Sequence, residues 1–229
     1  MPEAHDVRDM FARIARRYDR ANHLLSVGLD RSWRRAAVEF AGVMPGETAL
    51  DVCAGTGDLT IDLARAGAHA VGSDFCSPML DLAYRKVGDA ADWPRFIRGD
   101  TLRLPFKDGQ FDLVTVAFGI RNVSDPLAGL QEMHRVVRPG GRVLVLEFCK
   151  PRIPVLRSVF GFYFRRILPR IGGWITGDRN AFSYLERSVS AFREREDFLA
   201  LMGQAGLQST QQKILTGGVA ALYLGQVPS

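Results

Sequence analysis

The stretch at residues 49–58, A-L-D-V-C-A-G-T-G-D, constrains the fold more than any other part of this chain. It predicts a buried strand, a tight turn through Gly55 and Gly57, and a helix over residues 59–66. A second strand, residues 70–72, leads to Asp74. Glycines let the backbone approach a ligand closely, and an acid after the second strand can accept both hydroxyls of a ribose. This order therefore predicts a nucleoside-binding half-site.

The loop favours one class of nucleoside. A dinucleotide site has the spacing G-x-G-x-x-G, but Thr60 stands at the third glycine position. Asp58 opens the helix and disfavours a pyrophosphate there, and Asp51 adds a second acid. Both acids suit S-adenosylmethionine, which carries a sulfonium and an ammonium group and no phosphate. The loop therefore predicts S-adenosylmethionine rather than NAD, and a plain strand-to-helix turn without a ligand is the alternative.

Further strands and helices alternate along the first two-thirds of the chain. Strands are expected at residues 95–100, 111–118 and 142–148, with an amphipathic helix at residues 127–137. This alternation predicts a parallel, doubly wound sheet, in which ligands bind beyond the carboxyl ends of the strands. Asp51, Asp74 and Asp100 would meet at that edge. Asp100 can accept from an adenine amino group, or it is a solvated loop acid.

Bulk properties limit the class of protein. The 229 residues indicate one domain with appended segments, and no apolar stretch is long enough to span a bilayer. The first six residues lack the pattern of an export signal. Three cysteines without metal-ligand spacing predict buried thiols, no metal site and a cytoplasmic protein. The net charge of +5 includes six basic residues and no acid between Lys150 and Arg170.

Three strings carry a family resemblance: F-G-I-R-N-V at residues 118–123, E-M-H-R-V-V-R-P-G-G at 132–141 and L-E-F-C-K-P at 146–151. With residues 10–34 and the S-Y-L string at 183–185, they closely resemble the C-methyltransferase family of menaquinone and ubiquinone biosynthesis. The resemblance covers nearly the whole chain. It implies a Rossmann-like class I methyltransferase fold. It also implies methylation of demethylmenaquinol, or of the matching ubiquinone precursor, from S-adenosylmethionine.

The family's cofactor positions correspond to Thr56, Asp74, Asp100 and Thr101 here, and the loop adds Gly55, Gly57 and Asp51. Two positions depart from the pattern. Ala117 replaces a serine that binds the cofactor in some members, and Cys149 replaces a serine before Lys-Pro. Loss of a hydroxyl hydrogen bond at Ala117 costs about 1 kcal/mol, and the backbone there can still serve.

Arg121 and Asn122 are the predicted catalytic residues because they follow the fourth strand, over the expected position of the donor methyl. Asn122 can hydrogen-bond a phenolic oxygen. An arginine stays charged at ordinary pH, so Arg121 is expected to stabilise a phenolate or order a water rather than act as a bare base. The alternative for Arg121 is a structural salt bridge to Asp125 or Glu147. His23 is a further candidate from the N-terminal segment.

Four segments of the single domain are expected. Residues 1–45 form a helical lid with Tyr18 and Asn22 facing the pocket, or simply part of the core. Residues 46–149 form the cofactor-binding core. Residues 150–192 form the acceptor pocket, with a helix broken at Pro169 and Gly172-Gly173. Residues 193–229 form a closing helix and an antiparallel hairpin. The basic, aromatic face of residues 150–170 suits transient contact with an anionic membrane surface at the inner face of the cell membrane, or packs on the sheet.

The favoured function is C-methylation of a prenylated hydroquinone, with demethylmenaquinol as first candidate. The ubiquinone-pathway benzoquinol or another small phenol is the alternative. A nucleic-acid methyltransferase is disfavoured, because F-G-I-R-N stands where such enzymes often carry an Asn-Pro-Pro-aromatic string. No nucleic-acid partner is therefore expected.

Overall fold

A computed structural model describes residues 4–88 and 94–229. Its centre is a seven-stranded sheet with the order β3-β2-β1-β4-β5-β7-β6. The strands are β1 (Thr48–Val52), β2 (His69–Asp74), β3 (Arg95–Arg98), β4 (Phe111–Ala117), β5 (Val137–Phe148), β6 (Gln208–Leu215) and β7 (Ala220–Gln226). The first five pair in parallel, and β7 is antiparallel to both β5 and β6. The predicted parallel sheet with a C-terminal antiparallel hairpin is confirmed.

Helices cover both faces of this sheet. They are α1 (Ala4–Leu25), α2 (Leu29–Ala41), α3 (Asp58–Arg65), α4 (Ser77–Val87), α5 (Pro126–Val136), α6 (Pro154–Phe162), α7 (Leu168–Thr176), α8 (Arg179–Ala191) and α9 (Glu196–Gln204). Leu130 of α5 and Phe198 of α9 are buried in the core on one face, while Trp33 of α2 and Leu63 of α3 are buried on the other. Burial on both faces explains why the inner strands β1, β4 and β7 are mostly apolar, while the outer strands β3 and β6 are polar and largely exposed. The doubly wound arrangement is confirmed.

The predicted helix break at Pro169 and Gly172-Gly173 is wrong. A π-helical turn, Tyr163–Ile167, joins α6 to α7, and α7 continues through both glycines to Thr176. Pro169 lies in the first turn of α7, where its missing N–H is tolerated. A Cβ at Gly172 would lie 2.6 Å from the ring of Phe182 on α8. Gly172 therefore serves close helix packing, and α7 ends instead at Gly177, whose φ is 82°.

The strand ends that face the site have unusual backbone geometry. Cys53 follows β1 with φ 52°, and Phe118 follows β4 with φ 55°, both in the left-handed region. Gly119 comes so close to Cys53 that any Cβ on it would collide with that side chain. Strain of this kind persists where the surrounding structure fixes the chain, often beside a functional site. Here the positive φ angles turn the backbone away from β1 and β4 at the carboxyl edge of the sheet.

Candidate active site

The glycine loop between β1 and α3 is held by Asp74 at the end of β2. The Asp74 carboxylate accepts hydrogen bonds from the backbone N–H groups of Gly55 and Cys76, each at 2.8 Å. Burial raises the pKa of this carboxyl, and those N–H donors act against the rise. A Cβ at Gly55 would meet no atom within 4 Å, so the loop presents bare backbone to open space. This cradle fits a nucleoside placed with its ribose near Asp74.

Helix α1 lies over this loop. Asp19 accepts a hydrogen bond from the Thr56 hydroxyl at 2.5 Å, and the Lys86 ammonium of α4 lies 2.7 Å from Asp19. Ala15 of α1 packs in one apolar cluster with Cys76 and Met79. The structure thus places α1 against the loop, and the role of residues 1–45 as a lid stays a prediction. Residues 1–3 of that lid lie outside the described residues.

The loop acid Asp58 is already paired with cations of the protein. Its carboxylate lies 2.6 Å from Lys86 Nζ and 3.3 Å from the Arg34 guanidinium. Arg34 also contacts Asp30 at 2.9 Å, and Asp30 in turn accepts from His23 at 2.7 Å. The side chains of His23, Asp30 and Asp58 come close enough together to hold a metal ion. Because Arg34 contacts both carboxylates, the protein supplies its own counter-charge there.

Asp51 is buried at the end of β1. Its two oxygens accept hydrogen bonds from the hydroxyls of Thr60 at 2.8 Å and Thr115 at 2.9 Å. Burial raises its pKa to about 7, and the nearby Asp74 charge adds to the rise. Asp51 reaches the wall of the cavity described below, but both oxygens already have partners. Asp51 therefore has a structural role, and it also lies next to the glycine loop.

The loop after β3 carries the other two predicted cofactor residues. Asp100 is exposed, and its carboxylate accepts from the backbone N–H of Leu102 at 2.9 Å. Thr101 is buried, and its hydroxyl lies 3.3 Å from the Cys53 sulfur. Both stand at the carboxyl edge next to β1 and β2. The structure thus gathers the predicted positions after β1, β2 and β3 at one edge of the sheet.

A cavity of about 390 Å³ begins at the glycine loop and runs beneath α1 to the inner side of α6. Its volume lies within the usual range of ligand pockets. Aliphatic and aromatic side chains form most of the wall. The polar groups that reach it include Tyr18, Asn22, Thr56, Arg121 and Tyr184.

Arg121 stands in the short helical turn Ile120–Asn122 after β4, and it joins the cavity to a buried acid. Its Nη1 donates to Glu147 Oε1 at 2.7 Å and also to the Phe118 carbonyl. The salt bridge to Glu147 considered from the sequence is thus present. The guanidinium also lies over the Phe148 ring, 5.4 Å from its centroid. These contacts fix the guanidinium at the cavity wall.

Asn122 turns away from this wall. Its Oδ1 accepts from the Tyr184 hydroxyl at 3.0 Å, and among the described residues it is Tyr184, not Asn122, that lines the cavity. His23 likewise stands outside the cavity wall. Burial raises the pKa of both Tyr18 and Tyr184, while the Arg121 charge acts against it. Tyr184 was missed as a site residue, although the S-Y-L string that contains it was noted.

The family follows from comparison with known proteins. The model of the ubiE/COQ5 methyltransferase family matches residues 2–227. The chain belongs to the ubiE/COQ5 methyltransferase family. It is 43% identical over 229 residues to the ubiquinone/menaquinone biosynthesis C-methyltransferase UbiE of Bdellovibrio bacteriovorus, covering 99% of this chain and 97% of that protein. It is 46% identical over 221 residues to the demethylmenaquinone methyltransferase of Thermus thermophilus, covering 96% of this chain and 100% of that protein.

Solved structures support the same fold at lower identity. A SAM-dependent methyltransferase from Thermotoga maritima matches with a TM-score of 0.69 and 20% identity, covering 95% of this chain and 98% of that one. This ubiE/COQ5 family member therefore has the Rossmann-like class I methyltransferase fold. The described residues include no helix that is both long and apolar enough to cross a membrane.

Proposed function

We propose that this protein transfers the methyl group of S-adenosylmethionine to a ring carbon of a prenylated hydroquinone. Demethylmenaquinol is the first candidate, and the ubiquinone-pathway benzoquinol or another small phenol is the alternative. One observation carries the proposal: a single cavity joins the glycine loop to an apolar channel, and a fixed arginine reaches its wall. The names of both relatives described above point to the same chemistry.

The chain offers contacts for the nucleoside part of the donor. Bare backbone at Gly55 and the adjacent Asp74 carboxylate suit the ribose, and Asp100 and Thr101 suit the adenine side. When bound, S-adenosylmethionine supplies an activated methyl group on a positively charged sulfur. Helix α1 covers the loop through Asp19 and Thr56 and keeps water from that sulfur.

The remaining task of the protein is to hold the ring and its oxygen. A quinol ring carbon becomes a strong nucleophile when the neighbouring hydroxyl ionises. The Arg121 guanidinium at the wall stabilises the resulting phenolate. Apolar side chains from α6 and α8 fix the ring against it, and such positioning is a large part of the rate. Phe160 of α6, Phe164 of the π-helical turn and Phe182 of α8 are phenylalanines in that part of the wall.

Methyl transfer from labelled S-adenosylmethionine tests this reaction. Purified protein in detergent would be given reduced short-tail demethylmenaquinol, the matching benzoquinol, or a simple phenol. Label in one quinol is the expected result, and it also identifies the head group. Label only in the simple phenol would select the alternative acceptor. No transfer to any acceptor, with the donor still bound, would contradict the proposal.

We also propose that the cavity mouth faces an anionic membrane surface. Three apolar residues line the cavity and are also exposed to solvent: Val27 between α1 and α2, Leu29 at the start of α2, and Val159 of α6. Val27 is 84% exposed. Val155, Val159 and Phe162 follow helical spacing along the exposed side of α6, and Trp174 of α7 is 85% exposed. Apolar groups around the opening suit a lipid tail that extends from the cavity into a bilayer.

Charge favours an anionic bilayer as the occupant of this face. Arg165, Arg166 and Arg170 surround a surface cleft beside Phe162. Among the described residues, no salt bridge to an acid engages any of the three. Unpaired arginines beside exposed apolar groups are typical of helices that lie at a lipid interface. The cavity mouth and the basic cleft both include residues of α6 and its π-helical turn. One orientation of the protein can therefore place both against the same bilayer surface.

Vesicle co-sedimentation tests the membrane face. The protein should bind vesicles containing phosphatidylglycerol more tightly than neutral phosphatidylcholine vesicles. The double variant Arg165→Glu/Arg166→Glu should lose that preference, and Phe162→Ser/Trp174→Ser should weaken binding to both. Arg65→Glu/Arg85→Glu makes the same charge change near the ends of α3 and α4 and should bind normally. Equal binding by the two charge variants would refute this orientation.

A further inference from the structure

The buried carboxyl behind Arg121 has one oxygen that accepts no hydrogen bond from the residues described in the structure. Glu147 is fully buried at the end of β5. Its Oε1 accepts from Arg121 Nη1 at 2.7 Å and from the Phe148 backbone N–H at 2.9 Å. Its Oε2 is buried without a hydrogen-bond partner among the described residues, as is Arg121 Nε. An unsatisfied buried polar group costs free energy of folding. Two such atoms in one ion pair therefore indicate a role for the pair beyond stability.

We propose that Glu147 receives the hydroxyl proton of the quinol through Arg121. This inference rests on the proposed methylation of a phenolic ring. Arg121 lines the cavity, and Glu147 touches Arg121 from behind, so the guanidinium is the bridge between the ring oxygen and the carboxylate. Glu147 is thus a positioning residue and proton acceptor that acts through Arg121, without touching substrate.

The proton balance of the step is closed. The quinol hydroxyl gives its proton to a guanidinium nitrogen while Nη1 gives its own proton to Glu147 Oε1. Arg121 keeps one positive charge, Glu147 becomes neutral and the ring oxygen becomes a phenolate. The ring carbon then bonds to the methyl carbon, and the sulfur keeps the electron pair of the bond that breaks. The ring C–H proton passes to the ring oxygen through water. Glu147 returns its proton to solvent after the product leaves, so each turnover releases one proton.

Other ionisable groups facing the pair are less suited to this task. Tyr18 of α1 and Tyr184 of α8 lie near Arg121, but burial raises the pKa of both phenols, so they stay protonated. Asp51 reaches the cavity, yet the hydroxyls of Thr60 and Thr115 occupy its oxygens. Burial also raises the pKa of Glu147 despite the Arg121 charge and the Phe148 N–H, which makes it a better proton acceptor than a solvated glutamate.

The variant Glu147→Gln tests the proposal when it is assayed on short-tail quinols of decreasing hydroxyl pKa. On the parent quinol, kcat should fall about 100- to 10,000-fold, the range of general base catalysis. The loss should shrink towards none as the quinol becomes ionised at the assay pH, because no base is then needed. An equal loss on every quinol would mean that Glu147 only holds Arg121 in place, and it would overturn the proposal.

The pH profile gives a second readout. Wild-type kcat should rise with pH through the pKa of Glu147 and then level off. In Glu147→Gln that rise should be replaced by a continuing increase as the quinol itself ionises. Glu147→Asp keeps the charge and should keep the wild-type shape at a lower rate, which serves if the glutamine variant folds poorly. An unchanged profile in Glu147→Gln would contradict proton acceptance.

A matched control lies at the opposite edge of the sheet. Glu47, also buried, accepts from Arg142 at 2.7 Å, and Arg142 Nε is likewise buried without a partner among the described residues. Glu47→Gln therefore disturbs a similar pair far from the cavity. It should change neither the dependence of kcat on quinol pKa nor the pH profile of kcat. If wild-type protein methylates none of the quinols, the proposed function fails. If wild type is active and Glu147→Gln matches it, only this inference fails.

Discussion

The Asp19 carboxylate of α1 accepts a hydrogen bond from the Thr56 hydroxyl of the glycine loop, with 2.5 Å between the two oxygens. Lys86 reinforces the contact from α4, at 2.7 Å from Asp19 and 2.9 Å from Thr56. An N-terminal helix is thereby fastened to the loop that is expected to hold the cofactor.

Asp19→Ala should speed cofactor release, because it removes the hydrogen bond between α1 and Thr56 of the loop and the ion pair of α1 with Lys86 of α4. A lost hydrogen bond of about 1 kcal/mol corresponds to roughly fivefold faster dissociation. Stopped-flow displacement of a bound cofactor analogue measures this rate. Asp9→Ala, on the same helix but in a surface pair with Arg8, is the control and should have no effect. An unchanged rate in Asp19→Ala would show that α1 does not retain the cofactor.

Asp74→Ala should weaken cofactor binding before it affects turnover at saturation. The carboxylate is the proposed ribose contact and also accepts from Gly55 and Cys76, so its loss frees the loop. Loss of such charge-assisted bonds, about 1.5–3 kcal/mol, predicts an affinity lower by roughly 10- to 100-fold. Calorimetric titration with S-adenosylhomocysteine measures it, with the exposed Asp81→Ala of α4 as control. Unchanged affinity would contradict the ribose assignment.

Arg121→Ala should abolish turnover while leaving cofactor affinity nearly unchanged. The guanidinium faces the acceptor part of the cavity, and its removal also strands the Glu147 charge. Breaking a buried pair in this way costs about 3–5 kcal/mol of unfolding free energy. Single-turnover assays, cofactor titration and urea unfolding separate these effects. Equal loss of turnover and cofactor affinity would remove Arg121 from transition-state stabilisation.

The two loop glycines should fail in different ways. At Gly57, with φ 81°, a Cβ would lie 2.7 Å from the Phe96 ring and 2.9 Å from Ala83, so Gly57→Ala should cost about 2–4 kcal/mol of stability. At Gly55, with φ 56°, a Cβ would enter open space, so Gly55→Ala should cost about 1–2 kcal/mol but hinder the cofactor. Thermal unfolding with and without cofactor distinguishes them. If the two variants lost stability and cofactor binding to the same extent, these separate roles of Gly55 and Gly57 would be contradicted.

Asp51 should make stability depend on pH. Its pKa is about 7 in the folded protein because of burial, well above the ordinary value of the unfolded chain. Between about pH 4 and pH 7 the folded state holds a proton that the unfolded state has released, so stability falls as pH rises through this window. At 1.36 kcal/mol per unit, the loss is at most about 4 kcal/mol. Urea unfolding from pH 4 to pH 8 should show a smaller loss in Asp51→Asn than in wild type, because the raised pKa values of Asp74 and Glu147 remain. Parallel curves for the two proteins would count against it.

The sequence predicts the sheet and the loop well because their signals are local. The central strands are short apolar runs, and the turns after them carry a glycine or an acid, as in the stretch from Leu50 to Asp58. The break expected at Gly172 fails for the opposite reason. Tertiary packing of Phe182 against that glycine outweighs its low helix propensity.

The less predictable parts of the site depend on contacts between distant residues. Thr56 meets Asp19 across 37 positions, and Tyr184 meets Asn122 across 62. No local pattern specifies such pairs, since they depend on where α1 and α8 cross the sheet edge. Arg121 was placed by its position after β4, but the buried partner that turns it from a lone charge into part of a pair was one of two alternatives.

Helix α1 touches both ends of the cavity at once. Asp19 lies on the glycine loop, Tyr18 lies in the wall, and Val27 at the rim follows directly on the helix end. Raising this helix to admit one ligand must therefore uncover the path of the other. A ligand that holds α1 in its closed position should therefore favour binding of the other ligand, so the affinity for each should depend on whether the other is bound.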